Sequence, residues 1–264
     1  MLKRCTFLVL AAALTLTLSG CTIFRWGGSE KPAPPPPSPS PQAEDVFKKG
    51  EDLLNKGKYE EARQTYSSLK QYDPEKSYEP LVQIRLGDSY YEEGRYEEAT
   101  VEYRRFLEMR PHNKAAPYVK YQLGMCNFKQ IGRSDRDPQY AENAMNNFSE
   151  LLRDYPNNPY EDEAKEKLRI ARGKVAEHEF VVGRYYFKQR SYQAAVIRFK
   201  GIIESYPGSK DEPETLYYLA DSYIRLGNYE AAKNTLAILY KEHPNNKMAE
   251  EAKGLAEKIP AEGK

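Results

Sequence analysis

The chain has 264 residues, with 40 basic and 39 acidic side chains, and its net charge of +1 gives no overall field for nucleic acid or an anionic membrane. Charged residues make up 30% of it and aromatic residues 12%, including 22 tyrosines, a balance that suits exposed amphipathic helices and not β-branched strands. Of its three cysteines, Cys5 lies in the leader and Cys21 at the leader's end. Cys126 is then the one thiol of the folded part, and no intramolecular disulfide forms after processing.

In chain order, the first element is an export signal. Lys3 and Arg4 precede an apolar run over residues 6–18, shorter than the ~20 residues that span a bilayer. The run ends in Leu18, Ser19, Gly20 and Cys21, which resembles a lipobox. That resemblance implies cleavage after residue 20 and a lipid on Cys21. Thr22 follows the cysteine where aspartate would resemble an inner-membrane retention signal, so the expected location is the periplasmic face of the outer membrane. Several acyl chains, each methylene adding about 0.8 kcal/mol on burial, make such anchoring stable. Residues 21–42 read as a tether. Pro32, Pro34 to Pro37, Pro39 and Pro41 favour extended polyproline II, with a PxxP ligand role as the lesser alternative.

Self-similarity governs the remainder. Tyr59 and Ala62 recur 37 residues later as Tyr96 and Ala99, and again as Tyr192 with Ala195 and Tyr229 with Ala232; Ala144 belongs to a fifth copy. Twelve residues after each alanine stands a proline: Pro74, Pro111, Pro156, Pro207 and Pro244. Gly50, Gly87, Gly124, Gly183 and Ala220 are small on the first helix of each unit, as the alanines are on the second, so the two helices approach closely. Gly57, Gly94 and Gly227 end first helices in the left-handed region, and each proline closes a second helix.

Two departures carry information. From Gly124 to Ala144 is 20 residues where the other units use 12, so the third hairpin is lengthened by a segment containing Ser134, Asp135, Arg136, Asp137 and Pro138. Pro207 follows Pro156 at an offset of 51 residues, which predicts one long helix over residues 159–188 leading into the fourth unit. Residues 246–259 read as a polar capping helix at the end of the stack.

A hairpin of roughly 34 residues with small, aromatic and proline positions in this order resembles the tetratricopeptide repeat. The implied fold is all-α, a superhelical solenoid of five helical hairpins. Its divisions are a signal peptide at 1–20, the lipidated tether at 21–42, repeats one to three at 43–157, and repeats four and five with a capping helix at 158–264.

Chemistry is sparse by comparison. His112, His178 and His243 are far apart in the register and read as solvated. Glu177, His178 and Glu179 lack a second histidine at position 182, which is valine. Asp135 and Asp137 could touch a divalent ion, but Asp137 before Pro138 is more simply a helix cap. Cys126 reads as core. No phosphate loop or nucleophile elbow occurs, and neither an enzyme nor a cofactor is expected. Binding is the remaining role, and the groove positions of repeats one to three hold Phe47, Leu54, Ile84, Tyr91, Tyr118, Tyr121, Met125 and Phe128. These either pack between repeats or form an aromatic groove for an extended peptide.

The lipobox, proline tether, five repeats, lengthened third hairpin with Asp135 to Ala141, and long helix together resemble the BamD family, lipoproteins of the outer-membrane β-barrel assembly machinery. The resemblance implies a non-enzymatic adaptor. Its N-terminal half would receive segments of unfolded barrel proteins that end in an aromatic residue. Its C-terminal half would dock BamA, alongside other machinery subunits, through residues 196–201 with Arg198 as the contact. A different periplasmic scaffold, serving cell-wall synthesis or a secretion complex, is the alternative.

Overall fold

The computed structural model describes residues 40–133 and 135–260, so the signal peptide, Cys21, the proline tether and Ser134 lie outside the described residues. Ten long helices form five hairpins: α1 (Pro41–Asn55) with α2 (Tyr59–Ser68), α3 (Glu79–Glu92) with α4 (Tyr96–Met109), α5 (Ala116–Lys129) with α6 (Gln139–Asp154), α7 (Glu161–Lys188) with α8 (Tyr192–Ser205), and α9 (Glu212–Arg225) with α10 (Tyr229–Glu242). Each helix packs on the next in sequence, which is the stacked-hairpin arrangement expected of the repeats. No helix among the described residues is long and apolar enough to cross a membrane.

The local chemistry that builds each hairpin repeats. Gly57, Gly94 and Gly227 take φ of +71°, +80° and +73°, and the residue after each sends its N–H back to the first helix, as Lys58 N does to Leu53 O at 2.9 Å. In the fourth hairpin Arg190 holds the same place at φ +61° without glycine's freedom. The tyrosine two residues later begins the second helix in all four. The residues before Pro111, Pro156, Pro207 and Pro244 have ψ between 48° and 69°, out of the helical region, as a following proline requires. The third hairpin has its longer connection, where Asp137 Oδ1 accepts from Gln139 N at 2.9 Å and caps α6 from outside.

The close approach within each hairpin is glycine against a ring. A β-carbon added at Gly87, Gly124 or Gly183 would lie 2.5 to 2.6 Å from Tyr103, Phe148 or Phe199, and Gly50 meets Tyr66 in the same way. These rings are almost completely buried. In the fifth hairpin Ala220 replaces the glycine, and Leu236 stands where the others carry a ring. The small residue of the first helix thus faces the large residue four positions beyond the repeat alanine, and not the alanine itself.

Three expectations change. The tether ends sooner, because Ser40 Oγ accepts from Ala43 N at 3.1 Å and Pro41 already occupies the first turn of α1. The capping helix is two short pieces, α11 (Lys247–Glu251) and α12 (Lys253–Ala256), bent so that Ala249, Ala252 and Leu255 all reach the last core. His243 is not solvated: its Nε2 lies 3.1 Å from Glu212 Oε1, tying the end of α10 to the start of α9.

Candidate functional site

First helices α3 and α5, with the turn that opens α7, line an open hollow of about 400 Å³. Its apolar walls are Leu81, Ile84, Tyr118 and Tyr160, with Pro117 and Pro159 at the rims. Asn158 sets the turn by accepting from Tyr160 N at 2.8 Å, after Asn157 has reversed the chain at φ +59°. That places the Tyr160 ring 5.9 Å from Tyr118 and 5.0 Å from Tyr121, stacked on the latter at 18°.

Beneath the hollow runs a polar chain. Tyr118 Oη donates to Asp88 Oδ1 at 2.8 Å, and Tyr103 Oη donates to the same oxygen at 2.7 Å. Arg85 gives Nη1 to Asp88 at 2.9 Å and Nε to Glu51 at 2.8 Å, and Tyr66 Oη completes the line by donating to Glu51 at 2.5 Å. Burial, then the nearby Asp88 carboxylate, push the Tyr118 phenol well above its ordinary range, so it stays a hydrogen-bond donor. Arg85 is fully committed to these carboxylates. Lys114, also in the lining, has no ion partner among the described residues. The arrangement is an aromatic and aliphatic recess with one uncommitted ammonium at its edge. It suits an apolar side chain of an extended peptide whose carbonyl or carboxylate faces the lysine.

Of the eight residues predicted from the repeat register, the hollow brings together Ile84 and Tyr118. Ile84, Tyr121 and Met125 are only 4%, 7% and 8% exposed, which favours the alternative of packing between repeats for them, with Ile84 reaching the hollow only at its wall. The physical reason is that a first helix also faces its neighbours: Ala164 and Ala171 of α7 pack in the same cluster as Tyr121 and Met125. The other four are half-buried elsewhere. Phe47 stacks on Tyr78 at 4.7 Å, and Leu54 joins the first hairpin's cluster. Tyr91 meets Tyr96 edge-on at 5.5 Å, its phenol pushed up to about 12 by burial. Phe128 meets Phe148 edge-on at 6.3 Å, with Lys167 over its ring. Sequence reasoning missed Leu81, Lys114, Pro159 and Tyr160. The break in repeat spacing after Pro156 was the signal that a turn there closes one side of the hollow.

Arg198 lies on α8, away from this recess. Its Nη1 donates to Glu179 Oε2 at 2.9 Å across the fourth hairpin, so it is an ion-paired residue and not a free one. Its neighbour Ile197 is 71% exposed, the most exposed large apolar side chain among the described residues.

Residues 39–239 match the family described as YfiO, outer membrane lipoprotein. The chain belongs to that family. A relative from Caulobacter vibrioides, outer membrane protein assembly factor BamD, is 27% identical over 239 residues, covering 90% of this chain and 76% of that protein. Proteins of the same description from Neisseria meningitidis and Haemophilus influenzae are 33% and 28% identical. Those matches cover 43% of this chain in each case, and 42% and 43% of the relatives. Among solved structures, the TPR2AB domain of yeast Sti1 aligns with a TM-score of 0.42 at 16% identity, covering 82% of this chain and 83% of that one. A tetratricopeptide repeat protein from Parabacteroides merdae aligns with a TM-score of 0.36 at 18% identity over 82% and 73%. Family membership makes this chain an outer membrane lipoprotein, the class indicated by the lipobox at Cys21.

Proposed function

We propose that the chain is a non-enzymatic assembly factor for outer membrane proteins that holds a segment of an unfolded barrel protein on its first-helix face and docks partner subunits through its fourth and fifth hairpins. The family and the Caulobacter relative support the first part. The observation that carries the substrate site is the recess between Leu81, Tyr118 and Tyr160 with the unpaired Lys114 beside it. An apolar or aromatic side chain of the substrate enters the recess, and a main-chain oxygen or terminal carboxylate meets Lys114. Phe47, Leu54, Tyr91 and Phe128 extend the same helix faces and serve as secondary contacts, while Ile84, Tyr121 and Met125 form the floor beneath them.

Docking is assigned to BamA through α8, where the exposed Ile197 provides an apolar anchor and Arg198 a charge held in place by Glu179. Lipid on Cys21 keeps the whole chain at the outer membrane. The test is binding of a fluorescent barrel-derived peptide ending in phenylalanine to the purified full-length lipoprotein. Lys114→Ala and Leu81→Ser, both at exposed positions, should each weaken it about tenfold. Affinity unchanged in both variants would remove the recess from the substrate path.

A further inference from the structure

The second helices of repeats two to five carry an apolar residue eight positions beyond the repeat alanine: Leu107, Leu152, Ile203 and Tyr240. All four are partly buried against the core clusters that join successive hairpins. The first repeat has Lys70 in that register, and Lys70 is exposed. There α2 stops at Ser68 and continues only as a 3-10 turn over Leu69–Gln71. The packing that the other repeats complete is missing, and a cavity of about 500 Å³ remains between the first and second hairpins. This volume falls within the range of about 300–1,000 Å³ typical of small-molecule sites.

Its walls are mainly apolar: Leu69, Val82 and Leu86, with the rings of Tyr66 and Tyr78. Four charged groups stand in the lining, two of each sign. The carboxylates are engaged, since Asp73 accepts from Tyr78 N at 2.8 Å and Glu79 pairs with Arg110 at 2.6 Å. Lys70 and Lys76, both exposed, have no ion partner among the described residues. With Glu79 neutralised by Arg110, the two lysines outnumber the single remaining carboxylate of Asp73, and the cavity combines an apolar interior with a net positive edge, the complement of an anionic amphiphile. The anchored end of the chain arrives at the same place. Ser40 Oγ donates to Tyr72 O at 2.8 Å, in the loop that carries Lys70 and Asp73. Ser40 follows Cys21 by 19 residues, a span of about 60 Å at the ~3.1 Å per residue of a proline-rich chain.

We infer that this cavity takes the acyl chain of an anionic lipid, with Lys70 and Lys76 on the headgroup. The site is separate from the recess at Tyr118 and does not depend on the function proposed for that recess. It would give the membrane-anchored lipoprotein a second lipid contact, made by the folded part.

The test reconstitutes the full-length lipoprotein in vesicles containing phosphatidylglycerol with a photoactivatable diazirine in its acyl chain, and maps adducts by mass spectrometry. Adducts are expected on Val82, Leu86 or Leu69. Lys70→Leu restores the apolar residue of the other repeats, so it should lower those adducts about tenfold and raise the melting temperature by about 2–4 °C as the gap fills. Val82→Trp, which blocks the interior without touching a charge, should lower them equally. Lys76→Glu should lower them with no change in melting temperature. Adducts undiminished in both Lys70→Leu and Val82→Trp, or confined to residues outside the cavity, would overturn the inference.

Discussion

The first two hairpins and the next two are built on the same contact, a first-helix glycine beneath a second-helix ring, yet they finish it differently. After Gly50 and Gly87 come the carboxylates Glu51 and Asp88, and the rings above are tyrosines whose hydroxyls donate to them. After Gly124 and Gly183 come Met125 and Arg184, and the rings are phenylalanines. A hydroxyl occurs only where an acceptor occurs, as expected if a buried donor without a partner is costly. The consequence reaches beyond each hairpin. Through Arg85 and Tyr118 the polar chain joins repeats one, two and three, and it forms the support of the recess assigned to substrate. In the third and fourth hairpins the glycine–ring contact itself is apolar, and the polar ties lie elsewhere, as separate pairs between Lys120 and Glu150 and between Arg198 and Glu179 that join only the two helices of one hairpin.

Breaking the shared feature should have the largest effect. Gly87→Val places its new carbons against the Tyr103 ring, at a site where a β-carbon alone would be 2.5 Å away. Overpacking there should cost about 3 kcal/mol, read as a lower urea midpoint. An unchanged midpoint would mean the helices separate freely, and the close approach would lose its importance. Next comes the feature that distinguishes the two regions. Asp88→Ala leaves Tyr103 and Tyr118 without their carboxylate acceptor and Arg85 with Glu51 alone, which should cost about 2 kcal/mol and also loosen the peptide recess. The converse change is smaller and sharper. Phe148→Tyr introduces a hydroxyl with no acceptor beside Met125 and should cost about 1–2 kcal/mol. Met125→Asp added to it should recover about 1 kcal/mol in a double-mutant cycle. Additivity of the two changes would show that the tyrosine–carboxylate pairing is not transferable between repeats.

Much of this architecture was legible in the sequence because it depends on residues with few physical alternatives. Left-handed Gly57, Gly94 and Gly227, the helix-ending prolines and the 37-residue offset each specify a backbone event. The long helix followed from the 51-residue offset between the repeat prolines Pro156 and Pro207, and α7 covers 28 residues of the predicted span. The site was less legible. Repeat register places a residue on the inner side of a first helix, but that side is shared between the solvent-facing groove and the neighbouring helix. Only the packing of α7 decides that Tyr121 and Met125 belong to the core while Tyr118 lines a recess. Lys70 was visible as a departure from Leu107, Leu152 and Ile203, but its meaning depends on the gap it leaves. The pairing of Glu51 with Tyr66 and of Asp88 with Tyr103, each fifteen residues apart, is also written in the sequence, where the third repeat has methionine and phenylalanine at the same two positions.

The smallest expected change in stability tests the other side of the comparison. Ile197 is 71% exposed on α8, and a serine there removes no packed surface, so stability should stay within about 0.5 kcal/mol of the parent. Arg198→Glu is a less clean probe because it also sets two acids, Glu179 and the new one, against each other. Ile197→Ser should therefore separate docking from folding: an unchanged melting curve with loss of BamA from detergent-solubilised pull-downs would place the docking surface on α8. Retention of BamA with that same melting curve would move docking away from α8 and leave the exposed isoleucine without a partner. Because the substitution lies outside the polar chain through Glu51, Arg85 and Asp88, peptide binding at the N-terminal recess should be unaffected. A change there would instead reveal coupling between the two regions through α7, which packs against both α6 and α8.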